Sequence, residues 1–231
     1  MMRTFLCGFA AAVLLTGTAS AMERVDVQVD ESSVSGYFSQ GTTYVSLREA
    51  LDALGGWEVS WDGASRSAVA SSGGSRLSAP VGSGTVTLNG ERYVSAAKTF
   101  LTQGRTYVPA RLLAAACGTS AVWSGGGAVL KSQDFSEYTD EDLYWLSRII
   151  SAESQGEPLE GQIAVGNVVL NRVASDQFPN TIRAVVFDTN NGVQFEPLSN
   201  GTLYNAPTAQ SVAAAKLVLS GSSTAGGSLY F

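Results

Sequence analysis

Hydrophobic and polar positions follow two different periods along this chain, and the change between them divides it. In the first part the period is two. Val25, Val27 and Val29 alternate with polar residues and predict a leading strand with one buried face. Thr85-Val86-Thr87-Leu88 and Glu91-Arg92-Tyr93-Val94 flank Asn89-Gly90, a pair suited to a two-residue hairpin turn. The segment Gln40-Gly41-x-Thr43-Tyr44-Val45-x-x-Arg48 recurs as Gln103-Gly104-x-Thr106-Tyr107-Val108-x-x-Arg111, an offset of 63 residues. Each copy predicts a turn, a strand ending at Tyr-Val, and a helix (Ser46 to Leu54; Pro109 to Cys117). A glycine stop and a strand carrying Trp61 or Trp123 follow. Residues 25–131 are therefore expected to form a small α/β unit with pseudo-duplicated halves.

After a polar segment at 132–139, expected to be a linker, the period becomes that of a helix. Thr139 is a plausible N-cap, with Asp140, Glu141 and Asp142 suited to a first turn. Leu143, Leu146, Ile149 and Ile150 then fall on one face, and the next position on that face is Glu153. Gly161 to Val173 is apolar nearly all round and reads as a buried central helix. Its Ala164 and Gly166 would let a neighbour approach closely. Its Asn167, Asn171 and Arg172 need hydrogen-bond partners, most simply structural ones. Thr181 to Asn200 is turn-rich and predicts a small hairpin or groove wall. Ala209 to Leu219 is a last helix.

Composition narrows the chemistry. The 231 residues are 45% hydrophobic and 15% charged, with two Cys and no His. The apolar fraction can build a core, and the missing His removes any Ser-His-Asp triad and nearly every zinc site. Neither a metal nor a cofactor is expected. Arg3, an apolar run from Phe5 to Leu15, and Ala19-Ser20-Ala21 read as a signal peptide over residues 1–21. Export is the expectation, with membrane attachment only through an uncleaved signal. Cys117, within an apolar run, is expected to be a buried, inert thiol. Residues 22–136 hold 9 basic and 10 acidic residues, and residues 137–231 hold 4 and 10. The acidic second part argues against nucleic-acid binding. Composition says nothing of oligomeric state.

Glu153 admits two readings from spacing alone. A carboxylate ending an apolar stripe is costly to ionise, and the resulting raised pKa suits a general acid. Equally, it lies past the last buried turn and is solvated, or it accepts a buried hydrogen bond.

The twin Tyr-Val-x-x-Arg motifs and the elements around them resemble the copper-amine-oxidase N-terminal-like domain of secreted bacterial proteins. That resemblance implies a stalk or cell-surface accessory. With no His and one thiol it offers nothing to hold copper. Arg48 and Arg111 are read as a structural ion pair or helix-face charges, and the Tyr and Trp positions as core. Glycan binding by those aromatics is the weaker alternative.

A second resemblance covers residues 140–231. Ala152-Glu153-Ser154-Gln155-Gly156-Glu157-Pro158, Gly161-Gln162-x-Ala164-Val165, Val168-Val169-Leu170-Asn171-Arg172-Val173, Phe178-Pro179-Asn180-Thr181, Gln194-Phe195, Asn205-Ala206-Pro207-Thr208-Ala209 and Gly226-Gly227-Ser228-Leu229-Tyr230-Phe231 resemble the SleB/CwlJ-type cell-wall hydrolases, which include spore-cortex-lytic enzymes. The fold class implied is α+β: the pseudo-duplicated accessory domain, then a mainly α-helical lysozyme-like domain. The activity implied is cleavage of peptidoglycan glycan strands, with Glu153 as catalytic acid. With no second acid placed by spacing, a lytic transglycosylase is the expectation, and two-carboxylate hydrolysis the runner-up. Glu157 is expected to face solvent, and Glu196 to be a non-catalytic substitution near the groove. Gln194, Phe195 and Gln162 are the expected substrate contacts, Phe195 by stacking or else in a plain structural role. The family's closing Asn-Pro segment and Gly-Asn-His-Val-Phe-like end have no counterpart here. The alternative from another class is a non-catalytic envelope protein that binds cell-wall glycan.

Overall fold

The computed structural model describes residues 22–124, 127–132, 138–190 and 194–230. The expected signal peptide, positions 133–137 of the expected linker, Asn191 to Val193 and Phe231 lie outside them.

The first part builds two sheets from twelve strands. Strand β1 (Glu23–Val29) pairs antiparallel with β2 (Ser32–Ser39), which pairs with β3 (Thr42–Ser46). Helix α1 (Leu47–Leu54) follows. Next come β4 (Glu58–Asp62), β5 (Ser67–Ser72), β6 (Ser75–Pro80), β7 (Thr85–Leu88) and β8 (Glu91–Val94), an antiparallel meander forming a five-stranded sheet. The β7–β8 turn is the expected one. Asn89 and Gly90 both take positive φ, 52° and 89°, as a twist-matched two-residue hairpin requires.

Strands β9 (Phe100–Thr102) and β10 (Arg105–Pro109), helix α2 (Ala110–Cys117), and strands β11 (Thr119–Ser124) and β12 (Gly127–Ser132) repeat the opening pattern. The seven-stranded sheet has the order β11-β12-β1-β2-β3-β10-β9, with β1 and β12 parallel. The two repeats meet where β3 pairs antiparallel with β10, and Val45 lies opposite its own counterpart Val108. That pair marks a pseudo-two-fold centre.

Helix α1 buries Leu47, Ala50 and Leu51, and α2 buries Leu112 and Leu113, all against the sheets. Pro109 serves as the N-cap of α2 rather than as a first-turn residue. Of the motif tyrosines Tyr107 is buried as expected and Tyr44 is half-buried, but Trp61 and Trp123 are 49% and 56% exposed. Their strands, β4 and β11, are the outer strands of the two sheets, so the indoles find no second layer to cover them. Of the two readings of Arg48 and Arg111, an ion pair of either is not found among the described residues, and the exposed helix-face charge holds for Arg48. Arg111 Nη2 donates to the Ser223 carbonyl at 2.9 Å. Cys117 is half-buried rather than fully buried as expected, and the burial it has pushes its pKa up to about 12.

The second part is helical. Helix α3 (Asp140–Ser154) starts with a capping box. The Asp142 amide donates to Thr139 Oγ1 at 3.2 Å, and the Thr139 amide donates back to the Asp142 carboxylate at 2.9 Å. Helix α4 (Leu159–Val173) and helix α7 (Ala209–Leu219) pack on it, with helices α5 (Ile182–Val186) and α6 (Glu196–Asn200) alongside. Gly166 permits the tight crossing. A Cβ there would lie 2.9 Å from both Ile150 Cδ1 and Val218 Cγ2.

Within the stretch 181–200, expected to form a hairpin or groove wall, the described residues form α5 and α6 with a bridge at Asn190 between them, and the turn expected at Asn191-Gly192 lies outside the described residues. Thr181 caps α5 by accepting from the Ala184 amide at 3.2 Å, and Ile182, Val185 and Val186 turn one face inward. Asn167, Asn171 and the Nε of Arg172 find partners along the terminal segment, while Arg172 Nη1 is buried without a hydrogen bond. Asn167 Nδ2 donates to Ser222 O, Asn171 Nδ2 to Gly226 O and Ser228 O, and Arg172 Nε to Leu229 O, at 2.8–2.9 Å. Among the described residues no helix is long and apolar enough to cross a membrane.

The two parts pack directly. Glu160, in the first turn of α4, accepts from the Ser95 hydroxyl and from the Ala96 amide. Gln210 on α7 accepts from the Val94 amide, and Ser222 Oγ donates to Ala121 O.

Candidate active site

Leu146, Ile149 and Ile150 are fully buried on α3, and one turn further along the same face Glu153 is half-buried. The helix positions it by simple geometry. Ser151, which accepts from the Thr208 amide at 3.3 Å, marks the α7 side of α3. Two residues later the side chain has rotated by about 200°. Glu153 therefore points away from α7 and from the sheets docked beyond it.

Burial raises the pKa of Glu153, and the charge of Glu196 raises it further. Glu196 is the exposed first residue of α6, a helix that packs on α3. The sequence argument set it aside as a non-catalytic substitution. In the structure it is the carboxylate whose charge acts on Glu153. The signal available was its place directly after Gln194-Phe195, a segment already expected at the groove.

The same segment corrects the expectation for Phe195. Its ring is 1% exposed, so no face is open for a sugar to stack on. It anchors the segment instead. The Arg172 guanidinium lies 5.1 Å from the Phe195 ring centroid, 5.0 Å from Phe178 and 5.4 Å from Tyr230. Burial lowers the pKa of Arg172, against the opposing influence of Tyr230 and Asp188. The ring exposed in this cluster is Tyr230, at 66%.

Gln162 also departs from its expected role. It is 0% exposed, its Nε2 donates to Glu157 O at 3.0 Å, and its Oε1 accepts from Ser211 Oγ at 2.9 Å. It ties the α3–α4 turn to α7 and reaches no open surface. Gln194 is half-buried next to Phe195, and Glu157 is exposed as expected. The structure thus brings the charge of Glu196 to bear on Glu153, and leaves Gln162 elsewhere. Among the described residues no group of three or more acidic or Cys side chains is placed to hold a metal ion.

Comparison with known proteins assigns both parts. Residues 24–131 match the family model for the copper amine oxidase N-terminal domain, and residues 156–231 match that for cell wall hydrolase. Glu153 lies just ahead of the second match. The spore cortex-lytic enzyme of Bacillus cereus is 34% identical over 94 residues, covering 41% of this chain and 35% of that protein. Its Bacillus subtilis counterpart is 34% identical over 70 residues, covering 30% of this chain and 22% of that protein. The chain thus spans 22–41% of the length of the curated relatives it matches. Among solved structures, the catalytic domain of the germination-specific lytic transglycosylase SleB from Bacillus anthracis is 34% identical. The match covers 40% of this chain and 74% of that one, with a TM-score of 0.37. The second part is a cell wall hydrolase domain carried behind a copper amine oxidase N-terminal domain. Residues 156–231 therefore match the cell wall hydrolase family, among relatives named as spore cortex-lytic enzymes.

Proposed function

We propose that this protein is exported and cleaves the glycan strands of peptidoglycan, in spore cortex or cell wall, as a lytic transglycosylase with Glu153 as its acid and base. The observation that supports this most is the half-buried Glu153, its pKa raised by burial and by Glu196, at the end of the apolar face of α3 just ahead of the cell wall hydrolase match. The reaction balances without water. Protonated Glu153 gives its proton to the glycosidic oxygen as the bond to C1 of the muramic sugar breaks. The 6-hydroxyl of that sugar then attacks C1, and the Glu153 carboxylate takes the hydroxyl proton. A 1,6-anhydro end and a free hydroxyl result. Gln194 is suited to meet sugar hydroxyls or the acetamido group, and the exposed Tyr230 takes over the stacking role that Phe195 cannot fill.

A second reading has its own support. The influence of Glu196 on Glu153 suits two-carboxylate hydrolysis, in which the second group assists water or the sugar cation. Digestion of purified peptidoglycan and spore cortex, read by mass spectrometry, separates the two. Anhydro-muropeptides released by the wild type and not by Glu153→Gln support transglycosylation. Reducing ends select hydrolysis. No release at all overturns the enzymatic reading in favour of a glycan-binding envelope protein.

A further inference from the structure

The internal repeat of the first part builds the same cleft twice. One cleft is lined by residues 41–43 and 109–111 with Phe38 and Trp123. The other is lined by residues 104–106 and 46–48 with Leu101 and Trp61. Apart from the Trp pair, these positions are related by the repeat offset of 63, with each set crossing to the opposite copy as the pseudo-two-fold at Val45 and Val108 requires. Both clefts present a half-exposed indole on an outer strand, an apolar side chain opposite it, and the arginine at the second position of a helix. An indole is a large apolar surface that folding ordinarily covers. Here it is left open at two equivalent places.

The clefts differ in what the rest of the chain has done to them. Glu160 of the hydrolase part enters the wall of the Trp123 cleft, Arg111 is engaged by Ser223 O, and 140 Å³ remains. The Trp61 cleft is free of the hydrolase part and holds 450 Å³, in the range of small-ligand sites. Its Arg105 is paired with Glu49 at 2.7 Å, while Arg48 has no ion pair or hydrogen bond among the described residues. The cleft therefore carries surplus positive charge in a protein of net charge −6. An apolar ring face beside an unpaired guanidinium matches a pyranose ring with a carboxylate nearby, the combination that a peptide-bearing muramic sugar offers.

We propose that the cleft holding Trp61, Leu101 and Arg48 is a glycan subsite, separate from the Glu153 groove, for the peptide-substituted sugars of the polymer that the hydrolase domain cuts. The choice of polymer rests on the function proposed above. The test uses the full chain carrying Glu153→Gln, so that binding is read without cleavage. Sedimentation with purified peptidoglycan is compared with titration by a disaccharide-peptide and by a chitin tetrasaccharide, which has no carboxylate. Adding Trp61→Ala is expected to weaken retention on the polymer about tenfold, the scale of one lost aromatic anchor. Its unfolding midpoint stays close to the parent's, because the ring is half-exposed. Arg48→Gln is expected to abolish the preference for the disaccharide-peptide over chitin. Unchanged polymer binding by both variants overturns the subsite and leaves the cleft as a face for a protein partner. Failure of the wild type to release fragments, with Trp61-dependent binding intact, overturns the cleavage reading alone.

Discussion

The contact of Glu160 with the β8–β9 connection predicts that the two parts unfold together. Replacing Glu160 by Ala removes the acceptor of the Ser95 hydroxyl and of the Ala96 amide. Ala96 is exposed, so its amide recovers a hydrogen bond from water at little cost. Ser95 is only 4% exposed and loses a charge-assisted bond without replacement. That loss costs about 2 kcal/mol, and removing an acid from the first turn of α4 adds a few tenths. For a chain of this size, about 2 kcal/mol lowers the melting temperature by roughly 4–8 °C. The assay is urea unfolding followed by two signals. Far-UV circular dichroism weights the long helices α3, α4 and α7, while indole fluorescence weights Trp57, Trp61 and Trp123 in the first part over Trp145 in the second. Both signals should move together, in wild type and variant alike. Two separate transitions, or a shift confined to one signal, would refute the reasoning and make the parts independent beads.

Three further outcomes follow from named contacts. A general acid works while protonated, so activity should fall as pH rises through the raised pKa of Glu153. Glu196→Gln removes one cause of that raised value and should move this alkaline limb to lower pH in a pH–rate profile. The Cys117 thiol, pushed up to about 12, should resist a thiol reagent at pH 8 until denaturant is added. Asn167→Ala leaves Ser222 O and the Thr224 amide without their partner, each held at 2.8 Å, and should cost about 1–3 kcal/mol in denaturant unfolding.

Much of this was legible in the residues because it is local. The capping box at Thr139, the Asn89-Gly90 hairpin and the long helices depend on neighbours within a turn or two. So does the apolar stripe that leads to Glu153. What was not legible is set by distant pairings. Nothing local to Val25–Val29 announces that β1 lies parallel to β12, a hundred residues on. Trp61 and Trp123 have the composition of core residues, but their strands are outermost, and strand order is a property of the whole sheet. Phe195 and Gln162 sit in motifs that spell a groove, yet Arg172 and Ser211, far away in sequence, draw them inward. Glu196 was visible as a residue and invisible as a neighbour, because only the packing of α6 on α3 brings its charge to bear.

The docking of α7 and the first turn of α4 against the sheets, on the side of α3 away from Glu153, turns the molecule into a ruler. A tether of loose chain would let the acid sample every bond within reach of an anchoring point. Under the functions proposed above, a rigid arm would allow one separation, and a strand gripped by the first part would reach Glu153 at a fixed number of sugars from the grip. Fragment lengths would then record a dimension of the protein as well as the chemistry of the polymer.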